Sequence, residues 1–239
     1  MRNLLLATAA LSALAFTTDA QAAPDVAIRV FQDGVAVSGL TTTSASGTTS
    51  IFGSSSNFSI LSAVAFGAPN VAQPGLISQT TSISSFAGLA APSTIRFEIT
   101  QTGLDRNSAG GALGRLASAF TANFLTNTQF VSGITFSSYA NDNNAAYGTQ
   151  QLLATRTYTT GPTQQSGAIL GTATLPNALF SETLVISATF TGGAAGLNAS
   201  AQIVSVPEPA SLAIFGAGLL GLGVARRRRT GEANGSAAA

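Results

Sequence analysis

The sequence predicts an all-β fold: a single antiparallel β-sandwich-like domain over residues 23–205, with an N-terminal signal-peptide helix before it and a C-terminal single transmembrane helix after it. Three observations lead there. Residues 94–100 alternate strictly, with Ile95, Phe97 and Ile99 on one side and Arg96 and Glu98 on the other, the period-two pattern of a half-buried strand. Residues 25–31 and 35–37 flank Gln32-Asp33-Gly34, and Asp-Gly accepts the positive φ values of a tight hairpin turn. Gly, Ser, Thr and Asn interrupt the apolar stretches roughly every eight to twelve residues, the spacing of short sandwich strands.

Residues 1–22 read as a secretory signal peptide. Arg2 supplies the positive start, residues 4–16 the apolar stretch, and Ala20-Gln21-Ala22 the small-x-small site, so a signal peptidase is expected to cut before Ala23. After the first hairpin, residues 41–56 are almost entirely Thr, Ser and Gly and are expected to form a long flexible loop. Weaker strand patterns cover 60–66, 76–82, 130–139, 151–159 and 168–175. Between them, Leu113, Leu116, Phe120 and Phe124 fit one face of a helix, yet the Ser and Thr content matches the neighbouring strands, and both readings stay open. Residues 180–190 alternate, and the turn-forming run 191–196 leads to 199–206, which predicts a second hairpin. No internal repeat points to a solenoid or propeller.

Composition narrows the chemistry. Residues 23–206 hold five arginines (Arg29, Arg96, Arg106, Arg115, Arg156) against six acids (Asp25, Asp33, Glu98, Asp105, Asp142, Glu182), which leaves no basic footprint for nucleic acid. The chain contains no cysteine, histidine or lysine. Those gaps remove Ser-His-Asp, Cys-His and Ser-Lys nucleophile pairs, Schiff bases and thiolate or imidazole metal sites. No catalytic residue, cofactor or metal ligand is therefore assigned. Gly216-Ala217-Gly218-Leu219-Leu220-Gly221 has the spacing of a dinucleotide motif, but no strand precedes it and no acid follows about twenty residues on.

The C-terminal segment is the most specific. Pro207-Glu208-Pro209 holds the chain extended, 210–225 is an apolar run of 16 residues, and Arg226, Arg227, Arg228 and Arg229 follow it. As a helix the run spans about 24 Å, a marginal membrane crossing, and the arginines keep 230–239 as a short cytoplasmic tail. This order of residues resembles the PEP-CTERM sorting signal of Gram-negative bacteria, a tail also known as an ice-binding-protein C-terminal domain, over 206–229. The resemblance implies export across the inner membrane and transient anchoring. It also implies recognition by an exosortase, a membrane transpeptidase acting near Pro207, Glu208 and Pro209, then release at the cell surface or outside, in an exopolysaccharide or biofilm context.

Several residues of the body invite a site. Asn141-Asp142-Asn143-Asn144 could offer oxygens to Ca²⁺, although Asx-rich runs form turns far more often. Glu98, Asp105 and Glu182 are the pool for a carboxylate hydrolase, which needs two acids across one cleft. Threonines at 155, 157, 172, 174, 189 and 191 could form a flat ice-facing array, and Tyr139, Tyr147 and Tyr158 a sugar-stacking platform. The expectation is a non-enzymatic exported protein, structural or adhesive, with exopolysaccharide as a partner; the alternatives are a carbohydrate- or ice-binding module and, behind it, a carboxylate hydrolase.

Overall fold

The computed structural model describes residues 24–159 and 164–206. The signal peptide with Ala20, Ala22 and Ala23, the Pro207-Glu208-Pro209 motif, the 210–225 helix, the four terminal arginines and the 230–239 tail lie outside the described residues. Among the described residues, no helix is long and apolar enough to cross a membrane.

The first hairpin forms as the sequence predicts. Strands β1 (Val26–Gln32) and β2 (Val35–Ser44) pair antiparallel, and Asp33 and Gly34 both take positive φ (51° and 83°) at the turn. The Asp33 carboxylate reaches beyond its own turn and accepts from Thr94 N (2.7 Å) and Ser93 Oγ (2.8 Å). Burial works to raise its pKa, but these bonds outweigh that and leave it below the ordinary carboxylate value.

The chain continues through β3 (Thr48–Ser54), β4 (Phe58–Phe66), β5 (Gly75–Ser85) and β6 (Ser93–Asp105). A short 3₁₀ turn, Arg106–Ala109, leads into β7 (Leu113–Thr126). A second, Thr128–Phe130, leads into β8 (Val131–Asn141). Then come β9 (Gln151–Tyr158), β10 (Gln164–Thr174), β11 (Leu179–Phe190) and β12 (Gly196–Ser205). The strands form two six-stranded sheets, ordered β2-β1-β6-β11-β8-β9 and β10-β7-β12-β5-β4-β3, here called sheet A and sheet B. Every pairing among the described residues is antiparallel. Strands β5–β12 alone give β6-β11-β8-β9 over β5-β12-β7-β10, the interleaved order of a jelly roll, and β1–β4 widen each sheet by two strands. The fold is the expected antiparallel β-sandwich.

Three local expectations are corrected. Residues 41–56 are not a long loop: they hold the end of β2 and all of β3, because Thr49 and Ile51 alternate inward with Ser50 and Phe52 outward. The undecided segment at 113–124 is strand β7, in which Leu116, Phe120 and Phe124 point inward while Leu113 is exposed. Strands β11 and β12 both form but do not pair; the turn at 191–195 carries the chain from sheet A to sheet B.

The core lies between the sheets. Phe58, Phe97, Phe120, Phe136, Phe180 and Phe190 are fully buried, with Phe58 against Phe190 at 5.2 Å and Phe120 against Phe136 at 5.4 Å between ring centroids. Ser118 of sheet B and Ser138 of sheet A share a hydrogen bond of 2.7 Å across this core. The Gln101 amide donates to Gly75 O (2.8 Å) and accepts from Ala68 N (2.7 Å), tying β6 to the loop that leads into β5.

Candidate functional site

Each sheet has one face turned away from the core, and the two faces differ in how their polar groups are used. On sheet A the cross-strand register lines up Phe31, Arg96, Ser187, Thr135 and Thr157, then Arg29, Glu98, Val185, Ser137 and Thr155. The hydroxyls pair with one another: Thr135 with Thr157 (3.0 Å), Ser137 with Thr155 (3.1 Å), Thr94 with Thr189 (2.8 Å) and Thr100 with Thr183 (3.2 Å).

Glu98 is more enclosed than an outward strand position suggests. Its carboxylate accepts from Arg29 Nε (2.6 Å) and lies 3.2 Å from an Arg96 terminal nitrogen. The guanidinium of Arg29 sits 3.9 Å from the centre of the Tyr147 ring, and that of Arg96 sits 4.3 Å from the centre of the Phe31 ring. Tyr147 reaches this place because the β8–β9 loop folds back over sheet A. Asn144 and Tyr147 take left-handed φ (54° and 58°), and Tyr147 N donates to Thr100 Oγ1 (3.1 Å). Burial raises the pKa of the Tyr147 hydroxyl, which makes no hydrogen bond within the protein. The cluster shares one carboxylate between two guanidinium groups, covers both with aromatic rings and clamps the loop to the sheet.

The Asx run is that loop's first turn. Asn143 N donates to Asn141 Oδ1 (2.8 Å) within the turn, and Asn144 Oδ1 accepts from Gly103 N (2.7 Å) of β6, so these amide oxygens serve the turn and its attachment to the sheet. Among the described residues no group of three or more acids, histidines or cysteines could hold a metal. The hydrolase pool is scattered: Glu98 lies on the outer face of sheet A, Asp105 accepts from Asn107 N (2.9 Å) at the end of the sandwich, and Glu182 points into the core. Glu182 is fully buried, neither carboxylate oxygen has a partner, and burial pushes its pKa up to about 8. The three tyrosines do not form a platform. Tyr158 is buried, with its hydroxyl donating to Phe120 O (3.2 Å), while Tyr139 and Tyr147 belong to the outer side of sheet A. The threonine ranks separate as well: Thr155, Thr157 and Thr189 are on sheet A, Thr172 and Thr174 on sheet B.

Sheet B presents a surface that reading the sequence missed. Its outward residues line up across strands as Gln164, Asn123, Asn198 and Ser82, and beside them as Ser166, Thr121 and Ser200. Opposite Ser200, strand β5 bulges: Ala199 pairs Thr81 and Ala201 pairs Ser78, so residues 79 and 80 together face one residue of β12. A shallow depression of about 210 Å³ lies at this bulge, lined by Gln79, Thr121, Ser200 and Gln202 over Ala119 and Ile77. No charged residue lines it. The alternation of β7 and β12 could have flagged these residues as outward, but only the register brings them into rows.

Comparison with known proteins bears mainly on the C-terminal end. No curated protein matches the chain. Among solved structures it is similar to TmCBM61 in complex with β-1,4-galactotriose (12% identity over 75% of this chain and 88% of that one, TM-score 0.31). It is also similar to a cleaved adhesin domain of Lys-gingipain from Porphyromonas gingivalis (13% identity, 67% of this chain and 92% of that one, TM-score 0.33). At these values the likenesses carry no argument about ligands. Residues 205–229 match the family model described as the PEP-CTERM protein-sorting motif. The chain thus carries, beginning on the last residue of β12, a PEP-CTERM protein-sorting motif.

Proposed function

We propose that this is an exported surface protein, delivered by its C-terminal signal and serving a structural or adhesive role against extracellular polysaccharide. The observation that carries the reading is the match of 205–229 to the sorting motif, supported by the order of residues within it. In this reading a signal peptidase cuts between Ala22 and Ala23, after Ala20-Gln21-Ala22. Pro207, Glu208 and Pro209 are recognised by an exosortase-like transpeptidase. Residues 210–225 hold the chain in the membrane, and Arg226, Arg227, Arg228 and Arg229 stop it there with 230–239 inside. The domain division at 22, 205 and 229 follows from the same roles.

Intact-mass and terminal mapping of the protein from its native host tests this. The expected mature form begins near Ala23 and lacks the arginines, and Glu208→Ala retains them in the membrane fraction. A wild-type protein that keeps its arginine tail, with a location unaffected by Glu208→Ala, sinks the sorting role.

A second reading, a dedicated carbohydrate-binding module, is favoured by the depression on the outer face of sheet B, lined by amides and hydroxyls and by no charged residue. Ice binding is supported less. The threonine pairs of sheet A spend their hydroxyls on one another, whereas an ice-facing array must turn them outward in regular order.

A further inference from the structure

On sheet A, outward hydroxyls pair with one another and the guanidinium groups of Arg29 and Arg96 meet Glu98. On sheet B the side chains of Gln79, Thr121, Asn123, Asn198, Ser200 and Gln202 stand outward without that mutual pairing, and Asn198 Oδ1 is enclosed with no hydrogen-bond partner. An enclosed amide oxygen left unpaired costs free energy, so the face holds hydrogen-bonding capacity that the fold itself does not use. We propose that the outer face of sheet B, centred on the depression at the β5 bulge, binds a neutral polysaccharide. This inference rests on the reading that the body contacts polysaccharide, and it names the face and the ligand class.

The ligand class follows from the lining. Amides and hydroxyls offer donors and acceptors side by side, as the vicinal hydroxyls of a sugar require. Uronate or phosphate would give up hydration in the depression and meet no cation there, since the outward Arg115 of β7 stands four residues along the strand from Ala119, outside the lining. Ala119 and Ile77 form an apolar floor, and Phe66, the cross-strand neighbour of Ile77, extends it toward β4. That floor suits the C–H face of a pyranose ring. The polar rows cross the strands, which lie about 4.8 Å apart. This spacing is close to the monosaccharide repeat of an extended glycan, so one sugar can meet each strand from β10 to β5.

The test uses the full chain purified in detergent, titrated with a soluble glucan, mannan, galactan and xylan and with a polyuronate. The expected result is saturable binding to at least one neutral polymer, stronger than to the polyuronate, with affinity rising up to oligosaccharides of about four sugars. The double substitution Asn198→Ala with Gln202→Ala should weaken it about tenfold without lowering the unfolding midpoint. Thr121→Phe, which fills the depression, should do the same if the double variant folds poorly. Thr135→Ala with Thr157→Ala on sheet A should leave binding intact. Binding to none of the neutral polymers, preference for the polyuronate, or loss of binding only in the sheet A variant overturns the proposal. Each of these results is independent of whether the tail is processed, which the terminal mapping decides.

Discussion

Glu182 is a carboxyl group held inside the hydrocarbon layer between two sheets, beside Gln101 on β6 and Ala140 on β8. With no partner for either oxygen, the folded protein keeps it protonated up to about pH 8, whereas the unfolded chain releases the proton near 4.5. The sign is fixed by that order. Stability from this group is fully present below pH 4.5, falls by about 1.4 kcal/mol per pH unit from there to about 8, and is flat above. Glu182→Gln keeps the shape and removes the titration, so it should stabilise the fold at pH 7 by about 3 kcal/mol and flatten the stability curve. Denaturant midpoints of both proteins at pH 5, 7 and 9 check this; parallel curves would mean that Glu182 ionises in the fold. Glu98, by contrast, has partners for its carboxylate. Its charge holds Arg29 and Arg96, so Glu98→Gln should cost about 1–2 kcal/mol and loosen the Tyr147 loop, seen as faster amide exchange over 142–150.

At the scale of elements, two turns show how the same residue type carries different loads. Gly34 has φ +83° and open space where a Cβ would go, so Gly34→Ala should cost only the backbone strain, about 1 kcal/mol. Gly47, in the turn that carries β2 of sheet A into β3 of sheet B, has φ +74°. An added Cβ would stand 2.6 Å from Ala68 O, so Gly47→Ala should lower the unfolding midpoint clearly more than Gly34→Ala. The first of these turns was legible in the sequence, because Asp33-Gly34 is flanked by alternating strands. The second lay within the stretch read as a loop. Its threonines gave strand propensity, but the burial of Thr49 and Ile51 depends on β4, which is not local. The same limit explains β7: Leu116, Phe120 and Phe124 recur every four residues, which is two strand repeats as well as about one helical turn, and Leu113 pulled the reading toward helix. It also explains the pairing of β11 and β12. A turn sequence tells the chain to reverse but not whether the next strand joins the same sheet. Tyr158 and Thr172 were separable from their sequence neighbours only through register, and so was the face of sheet B. An outward amide becomes part of a surface only when β12 is laid beside β7.

At the scale of the whole molecule, both ends of the described sandwich emerge together. Val26 packs beside Gly67 and Gln101, Gln101 is bonded to Gly75, and Gly75 pairs Val204, while Val206 N donates to Arg115 O (3.0 Å). The chain end at Asp25, the loop 67–75 and the last residues of β12 therefore share one end, and the loops at 86–92 and 191–195 occupy the other. Strands of about twelve residues separate these ends by about 40 Å. Only Pro207, Glu208 and Pro209 lie between Val206 and the apolar run, and three extended residues reach at most about 10 Å. If 210–225 anchors the chain, the end that holds loop 67–75 stays within about 10 Å of the headgroups, and an upright sandwich carries the 86–92 loop about 40 Å clear of them. The absence of cysteine makes this measurable, because one introduced thiol is the only labelling site. In vesicles, a fluorophore on Ala72→Cys should be quenched by a headgroup-attached quencher and one on Gly88→Cys should not. Inserting a flexible spacer of about twenty residues after Val206 should relieve the quenching at position 72 without changing the unfolding midpoint. Equal quenching at both positions, or none at either, would show that the sandwich is not held upright by this short connection. The two outer sheet faces would then no longer stand perpendicular to the membrane, where a long polysaccharide can reach sheet B from the side.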